Sequence, residues 1–257
     1  VARGEGYSAR LAEEAQRLLL ADSPYLAGVV DAGRLLRAVP TPDGGTLARG
    51  TAWVALEWIA GAPLRPEAVA ASDRVGLAFV VARDVGAALA DLHACGTAHG
   101  DVKPANVVVT GSGAAARARL IDLGLAEDVE APVPRGGTLR YLAPEVVTSP
   151  GTGDAAARDL WALGVTLVEV ASAAAASAER PWERLDAVVD PELRALIGAL
   201  LAPALMDGTP GEPIIAGLRA RHAELPALFE ALAADRLREA RVASGMKTVS
   251  IVCSSAS

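Results

Sequence analysis

The sequence predicts an α+β fold in which a small sheet fragment precedes a mainly helical body. Two short apolar runs, residues 32–39 and 51–59, flank the turn sequence PDGG at 42–45, a pattern typical of a β-hairpin. Longer stretches with apolar residues at helical spacing make up most of the rest of the chain. The length of 257 residues is enough to bury a substantial core, in one domain or in two modest lobes.

Two helices can be placed from periodicity and end signals. Leucines recur at helical spacing among charged residues from Ser8 to Leu20, which predicts an amphipathic helix. A longer helix is predicted from about Ser72 to Cys95, because Ser72 can cap its first turn and Gly96 can end it.

The remaining elements alternate with turn signals. Short strands are predicted at residues 107–109 and 120–121, around a turn at 110–113. The stretch 125–153 is rich in Gly and Pro, which favours loop. Further helices are predicted at residues 155–175, 190–202 and 214–242.

Charge and cysteine content argue against several classes of function. The formal net charge of −7 disfavours binding to nucleic acid or to an anionic membrane, since both need basic surface. Cys95 and Cys253 are far apart in no ligand-like spacing, so we expect no disulfide scaffold, no zinc site and a cytoplasmic location.

The apolar stretch 160–178 approaches the length of a membrane span. Glu169 at its middle favours a buried helix instead, so no membrane span is predicted.

The residues that could carry chemistry lie in one loop and at the end of one strand. Asp101, Lys103 and Asn106 fall between the long helix and the strand at 107–109, and Asp122 follows the next strand. Rigid elements on both sides would hold these side chains as a compact polar cluster. Phosphoryl transfer needs such a set: a carboxylate to orient the attacking hydroxyl, a cation for the developing charge, and oxygen ligands for Mg²⁺.

The stretch from His99 to Asn106, HGDVKPAN, resembles the catalytic loop of the protein kinase family, which is usually written HRDLKPEN. Asp122, in DLG, stands where the family has the metal-binding DFG triplet. The resemblance implies that Asp101 is the catalytic base and that Lys103 steadies the transferred phosphoryl group. It also implies that Asn106 and Asp122 bind Mg²⁺ and its ATP, and that His99 is structural.

Three further segments resemble the same family and follow in its order. Residues 137–145, GTLRYLAPE, are similar to the substrate-docking loop that ends in APE. Residues 159–164, DLWALG, are similar to the start of the central helix, whose Asp anchors the backbone of the catalytic loop. Residues 56–61, LEWIAG, are similar to the hinge that receives adenine. The implied ATP contacts there are Leu56, Glu57 and Ile59.

The resemblance implies a two-lobed protein-kinase-like fold with an incomplete small N-lobe and a mainly helical C-lobe. Glu14 falls where the family has the glutamate of helix C, which usually pairs with a lysine on the preceding strand. Neither a lysine nor a glycine-rich loop precedes Glu14, so we interpret the chain as an N-terminally truncated, serine/threonine-type kinase of the bacterial, eukaryotic-like kind. Residues 1–60 would be the partial N-lobe with helix C, hairpin and hinge, 61–202 the C-lobe, and 203–257 C-terminal helices and a tail.

One departure from the family concerns regulation. Gly100 replaces an arginine that needs a phosphate partner in kinases switched by loop phosphorylation. No Ser, Thr or Tyr lies between Gly124 and Gly137. We therefore predict that phosphorylation of this loop does not control activity.

The predicted function is ATP- and Mg²⁺-dependent phosphotransfer to Ser or Thr of a protein substrate. We expect the chain as it stands to be inactive or nearly so, because the glycine-rich loop and strand lysine are missing. HGD also occurs in kinases of small molecules such as aminoglycosides, although Lys103 and the segment 137–145 favour the protein kinases. A third possibility is a pseudokinase that acts as a binding module, against which the presence of Asp101 and Asp122 counts.

Overall fold

The computed structural model describes residues 5–129, 131, 136–143 and 155–202. Within that part of the chain the predicted α+β class is confirmed, since small antiparallel sheets accompany a mainly helical body. The helices are α1 (Glu5–Ala21), α2 (Arg74–Ala94), α3 (Ala155–Ala171), α4 (Ala173–Ala176) and α5 (Pro191–Leu200). The strands are β1 (Val29–Arg34), β2 (Val39–Pro40), β3 (Thr46–Leu47), β4 (Ala52–Leu56), β5 (Ala62–Pro63), β6 (Thr97–Ala98), β7 (Val107–Thr110), β8 (Arg117–Leu120) and β9 (Glu127–Asp128).

The predicted hairpin is present, but its first strand begins earlier than expected. β1 pairs antiparallel with β4, and the short β2 pairs with β3 around the predicted turn. Gly44 at this turn has a φ of 81°, a conformation that glycine adopts without steric cost. Leu36 belongs to the apolar run 32–39 that predicts the first strand, yet it lies beyond the end of β1 and is 89% exposed. An apolar run alone does not identify which of its residues pair.

Helix α2 forms one wall of the core, and its two ends differ in how well they were predicted. The predicted cap at Ser72 is wrong: the helix begins one residue later, with Asp73 at the N-cap, and the Ser72 hydroxyl donates to the Asp73 carboxylate. The predicted end is confirmed, because Gly96 has a φ of 73° and donates its N–H to the carbonyl of His93.

The core lies where α2 packs against α3 and against the strand pair β7–β8. Asp84 of α2 accepts the N–H of Ala118 in β8 at 2.8 Å, which fixes the helix on the sheet. β7 and β8 pair antiparallel, with Val107 opposite Leu120. This register places the loop that precedes β7 beside the residues that follow β8.

The later helices follow the prediction with shifted ends. The helix expected over 155–175 is broken at Ser172, whose side chain accepts the N–H of Ala175 and caps α4. The helix expected over 190–202 begins after Asp190, which caps α5. Among the described residues, no helix combines the length and the hydropathy that a membrane crossing requires.

Part of the predicted loop, and all of the predicted tail, fall outside the described residues. Where the stretch 125–153 is described, it is loop apart from β9 and one turn of 3₁₀ helix at Leu139–Tyr141. Glu145 and the helix expected over 214–242 lie outside the described residues. The domain limits at residues 60 and 202 stay a prediction.

Candidate active site

The loop that follows β6 is held from α3 by Asp159. This residue is 1% exposed and accepts the N–H groups of His99 at 2.7 Å and of Gly100 at 2.9 Å. Its Oδ2 also accepts Nε2–H of His93, from the last turn of α2, at 2.9 Å. Burial opposes ionisation of Asp159, but these hydrogen bonds outweigh it and keep the pKa of Asp159 below its ordinary value. The anchoring role predicted for the first residue of DLWALG is confirmed.

His99 is fully buried and ties this loop to the end of β8. Its Nε2 lies 3.1 Å from the carbonyl of Ile121, and its Nδ1 lies 3.2 Å from the backbone nitrogen of Asp101. Because a carbonyl only accepts and an amide N–H only donates, Nε2 carries the proton and Nδ1 has the free lone pair. Burial lowers the pKa of His99 in spite of the nearby carboxylates. A neutral, structural histidine therefore fits both hydrogen bonds.

Asp101 is the centre of a polar cluster at the surface end of the loop. Nζ of Lys103 lies 2.5 Å from Oδ2 of Asp101. Nδ2 of Asn106 donates to the carbonyl of Asp101 at 2.9 Å and to its Oδ2 at 3.2 Å. The hydroxyl of Thr138 donates to Oδ1 of Asp101 and accepts from Lys103, both at 3.0 Å. A carboxylate fixed in this way, with 12% of its side chain exposed, can orient a hydroxyl that approaches from solvent.

Asp122 reaches the same region through the pairing of β7 with β8. Ile121 donates its N–H to the carbonyl of Asn106 at 2.9 Å, so Asp122 follows directly after a contact with the catalytic loop. The charges of Asp101 and Asp122 both favour the protonated form of the buried His99, so both carboxylates lie within electrostatic range of its ring. Asp122 is exposed, and its φ of 70° is unusual for a residue with a side chain.

Glu14 approaches this site from α1. Its carboxylate lies near the charge of Asp122 and near the backbone N–H of Leu123. Burial, and after it the charge of Asp122, raises the pKa of Glu14 above its ordinary value. Within the described part of the chain, no lysine or arginine forms an ion pair with Glu14.

The three predicted hinge residues lie on the path from β4 to β5. Leu56 ends β4 and is 40% exposed. Glu57 pairs with Arg119 at 2.7 Å, and this hydrogen bond holds the pKa of Glu57 below its ordinary value. No hydrogen bond or ion pair between described residues joins Leu56, Glu57 or Ile59 to Asp101. They reach the site indirectly, since β5 pairs with β7.

Sequence reasoning missed Thr138 as a member of the cluster, and it missed a second network beside it. Arg140 pairs with Glu169 of α3 at 2.5 Å, and the hydroxyl of Tyr141 donates to the other oxygen of Glu169 at 2.9 Å. Burial raises the pKa of Glu169, although Arg140 and Tyr141 oppose this rise. These contacts hold the segment against α3, so that Thr138 stays on Asp101. The sequence contained one signal for Thr138: it is the first residue with a hydroxyl side chain after Gly124.

Gly100 is required by the backbone at its position. Its φ is 81°, and a Cβ atom there would lie 2.4 Å from the carbonyl oxygen of Leu125. Both the conformation and the contact exclude a larger residue unless one of the two segments moves. The packing of this loop therefore requires the glycine that stands in place of the arginine of the family's HRD motif.

The donor set at the site fits Mg²⁺. Asn106 uses Nδ2 on Asp101, which leaves its Oδ1 as a ligand atom, and Asp122 offers an exposed carboxylate. Both are hard oxygen donors, and Mg²⁺ commonly takes one or two protein ligands and completes its shell with water and phosphate. Residues 5–129, 131, 136–143 and 155–202 contain no group of three His, Cys, Asp or Glu that could hold a metal by itself.

Comparison with known proteins gives one consistent family. Residues 67–191 match the family model of the protein kinase domain. The probable serine/threonine-protein kinase PkwA of Thermomonospora curvata is 29% identical over 177 residues, which are 66% of this chain and 21% of that protein. The serine/threonine-protein kinase PknA of Mycobacterium tuberculosis is 34% identical over 139 residues, 51% of this chain and 30% of PknA. The mitogen-activated protein kinase kinase kinase YODA of Arabidopsis thaliana is 35% identical over 103 residues, 39% of this chain and 11% of YODA. The chain thus spans less than a third of the length of each of these relatives.

Proposed function

We propose that this chain, whose residues 67–191 match the protein kinase domain, belongs to the protein kinase family and carries the catalytic part of a serine/threonine-protein kinase. The reaction transfers the γ-phosphoryl group of ATP to a Ser or Thr hydroxyl of a protein substrate. The observation that carries the proposal is the fixed carboxylate of Asp101, flanked by Lys103 and Thr138. The relatives named above are all protein kinases, so a small-molecule acceptor is not favoured. A cytoplasmic location is proposed with it, from the cysteine pattern alone.

Each residue of the cluster has a distinct task in this reaction. Asp101 orients the acceptor hydroxyl and takes its proton, because both of its carboxylate oxygens are held in place. Lys103 provides a positive charge where negative charge develops on the transferred group. Asn106 and Asp122 would hold Mg²⁺, which offsets the charge of the ATP phosphates when bound. Leu56, Glu57 and Ile59 would border the adenine.

We also propose that transfer by this chain alone is slow. Glu14 has no cationic partner among the described residues. A positioned donor at developing charge accelerates a reaction by roughly a hundred- to a thousandfold. Turnover is therefore expected well below the roughly 1–100 per second that is usual for protein kinases.

The experiment is a transfer assay with ATP labelled at its γ-phosphate and with three acceptors: Ser peptides, Thr peptides and an aminoglycoside. The expected result is slow labelling of Ser or Thr that Asp101→Asn reduces by about a hundredfold or more, since the general base is lost. Asp186→Asn removes an exposed carboxylate outside the cluster and is the matched control. Labelling of the aminoglycoside, or labelling that survives Asp101→Asn, would contradict the proposed reaction. Turnover in the usual kinase range would contradict the proposed slowness.

A further inference from the structure

The segment that follows Asp122 turns back and pairs with the strand that leads into the catalytic loop. β9 lies antiparallel to β6, with Asp128 opposite Thr97 and Glu127 opposite Ala98. β6 precedes the loop that bears Asp101, and β9 follows the turn that bears Asp122. The pairing of β6 with β9 therefore helps to position the carboxylates of both Asp101 and Asp122.

A buried ion pair holds β9 against α3. Glu127 is 2% exposed and Arg158 is 5% exposed, and Nη2 of Arg158 lies 2.7 Å from Oε1 of Glu127. The same Nη2 donates to the carbonyl of Ala131 at 2.8 Å. Arg158 directly precedes Asp159, which holds the backbone of the catalytic loop. Two consecutive residues of α3 thus hold the two chain segments that carry the site.

A second arginine, from α1, contacts the same segment. Arg17 of α1 donates to the carbonyl of Ala126, and its Nη2 lies 3.7 Å from Oδ1 of Asp128. Helix α1 therefore contacts the segment at Ala126 and Asp128.

Both arginines already have a carboxylate partner within the chain. In kinases switched by phosphorylation, new arginine–phosphate pairs order the activation loop. Here Arg158 is paired with a carboxylate of the chain itself, and Gly100 has no room for a further arginine beside Leu125. The first hydroxyl side chain after Gly124 is Thr138, and its hydroxyl is already bonded to the catalytic cluster.

We propose that the Glu127–Arg158 pair is a built-in positioning contact that orders the segment after Asp122 without phosphorylation. Its consequence for catalysis rests on the proposed kinase function, but the contact can be tested without it. Removal of Glu127 takes its carboxylate partner from the buried charge of Arg158, which strongly favours local opening.

The experiment is hydrogen–deuterium exchange by mass spectrometry on the complete chain without nucleotide, after phosphatase treatment. The variants are Glu127→Gln, Arg158→Met and the two together. In each single variant, peptides that cover 96–101 and 122–129 should exchange faster, by about a hundredfold in Glu127→Gln, while peptides from the interior of α2 stay unchanged. The double variant should be closer to the wild type than Glu127→Gln, because the charge of Arg158 is then no longer buried without its carboxylate partner.

The exposed pair Arg180–Glu183 provides the control. Its atoms are 3.2 Å apart and its side chains are 64% and 57% exposed, so Glu183→Gln should leave exchange unchanged everywhere. Exchange in Glu127→Gln that is unchanged, or faster by the same factor throughout the chain, would overturn the proposal. So would loss of wild-type protection on phosphatase treatment. If Arg158→Met fails to fold, Glu127→Gln and the double variant still decide. This exchange experiment contains no nucleotide and does not depend on kinase activity. A chain that transfers no phosphate would therefore contradict the proposed function without contradicting the positioning contact.

Discussion

Asp159→Asn is the substitution that most directly probes how the catalytic loop is held. The carboxylate of Asp159 accepts three donors in a site that is 1% exposed: the N–H groups of His99 and Gly100 and the ring N–H of His93. An asparagine has one oxygen fewer, so its NH₂ group must face at least one of these donors. The less costly orientation places NH₂ at Oδ1, where only Gly100 loses its acceptor.

The expected cost follows from these contacts. A buried donor without an acceptor costs about 1–3 kcal/mol, and the two bonds that remain lose the extra strength that a charged acceptor gives. We therefore expect the free energy of unfolding to fall by about 3 kcal/mol. The measurement is urea unfolding followed by circular dichroism, in which this loss shifts the midpoint by about 1 M or more.

The control for this substitution is Asp186→Asn, which changes the same groups at an exposed position and should alter the free energy of unfolding by less than about 0.5 kcal/mol.

The pKa of Asp159 is lowered in the folded state. The stabilisation that the Asp159 carboxylate provides is therefore present above the unfolded pKa of 3.8 and is lost as the pH falls through the folded pKa. The difference between wild type and Asp159→Asn should therefore shrink only below about pH 4. If Asp159→Asn is as stable as Asp186→Asn at pH 7, the described anchoring of the loop is wrong.

Three further predictions concern the loop and its neighbours. Gly100→Ala should lower the free energy of unfolding by about 2 kcal/mol or more, because the new Cβ would meet the carbonyl oxygen of Leu125. Gly113→Ala, at a φ of 56° with open space around it, should lower it by about 1 kcal/mol. Equal losses for the two variants in urea unfolding would refute the close contact at Gly100. Because burial lowers the pKa of His99 below 6.5, its contribution to stability is present above pH 6.5 and falls as the pH drops towards the folded value. An NMR titration that finds the His99 ring protonating above pH 6.5 would refute this. Thr138→Val should slow phosphoryl transfer by about tenfold with unchanged ATP affinity, and Thr138→Ser should not; equal rates would exclude a role for the hydroxyl.

The elements that the sequence predicts well are those determined by local pattern. α1 and α2 have apolar residues at helical spacing, and Gly96 can take the backbone conformation that ends a helix. The loop with Asp101 lies where turn signals and apolar runs predict it. The strand before Asp122 is predicted at residues 120–121 but spans Arg117–Leu120, because its first half alternates arginine with alanine and has no apolar run. The start of α2 was placed one residue early, since Ser72 and Asp73 are both good caps and only the surrounding fold selects between them.

The contacts that the sequence could not predict join residues far apart in the chain. Glu127 and Arg158 are separated by 31 positions, and neither has a local pattern that identifies its partner. Arg140 and Glu169 are separated by 29 positions, and although the sequence predicts a buried helix around Glu169, it does not identify Arg140 and Tyr141 as its partners. Partner choice of this kind depends on how helices and strands pack, which periodicity does not describe.

The most direct test of the central claim is a calorimetric titration of the complete chain with ATP, in the presence of Mg²⁺ and in its absence. If Asn106 and Asp122 hold the metal, ATP should bind in a Mg²⁺-dependent manner, and Asp122→Asn should weaken that binding by about tenfold or more. Asp101→Asn should leave ATP affinity nearly unchanged, because the role proposed for Asp101 is on the acceptor hydroxyl and not on ATP. Absence of Mg²⁺-dependent binding in the wild type, or equal binding by Asp122→Asn, would contradict the account.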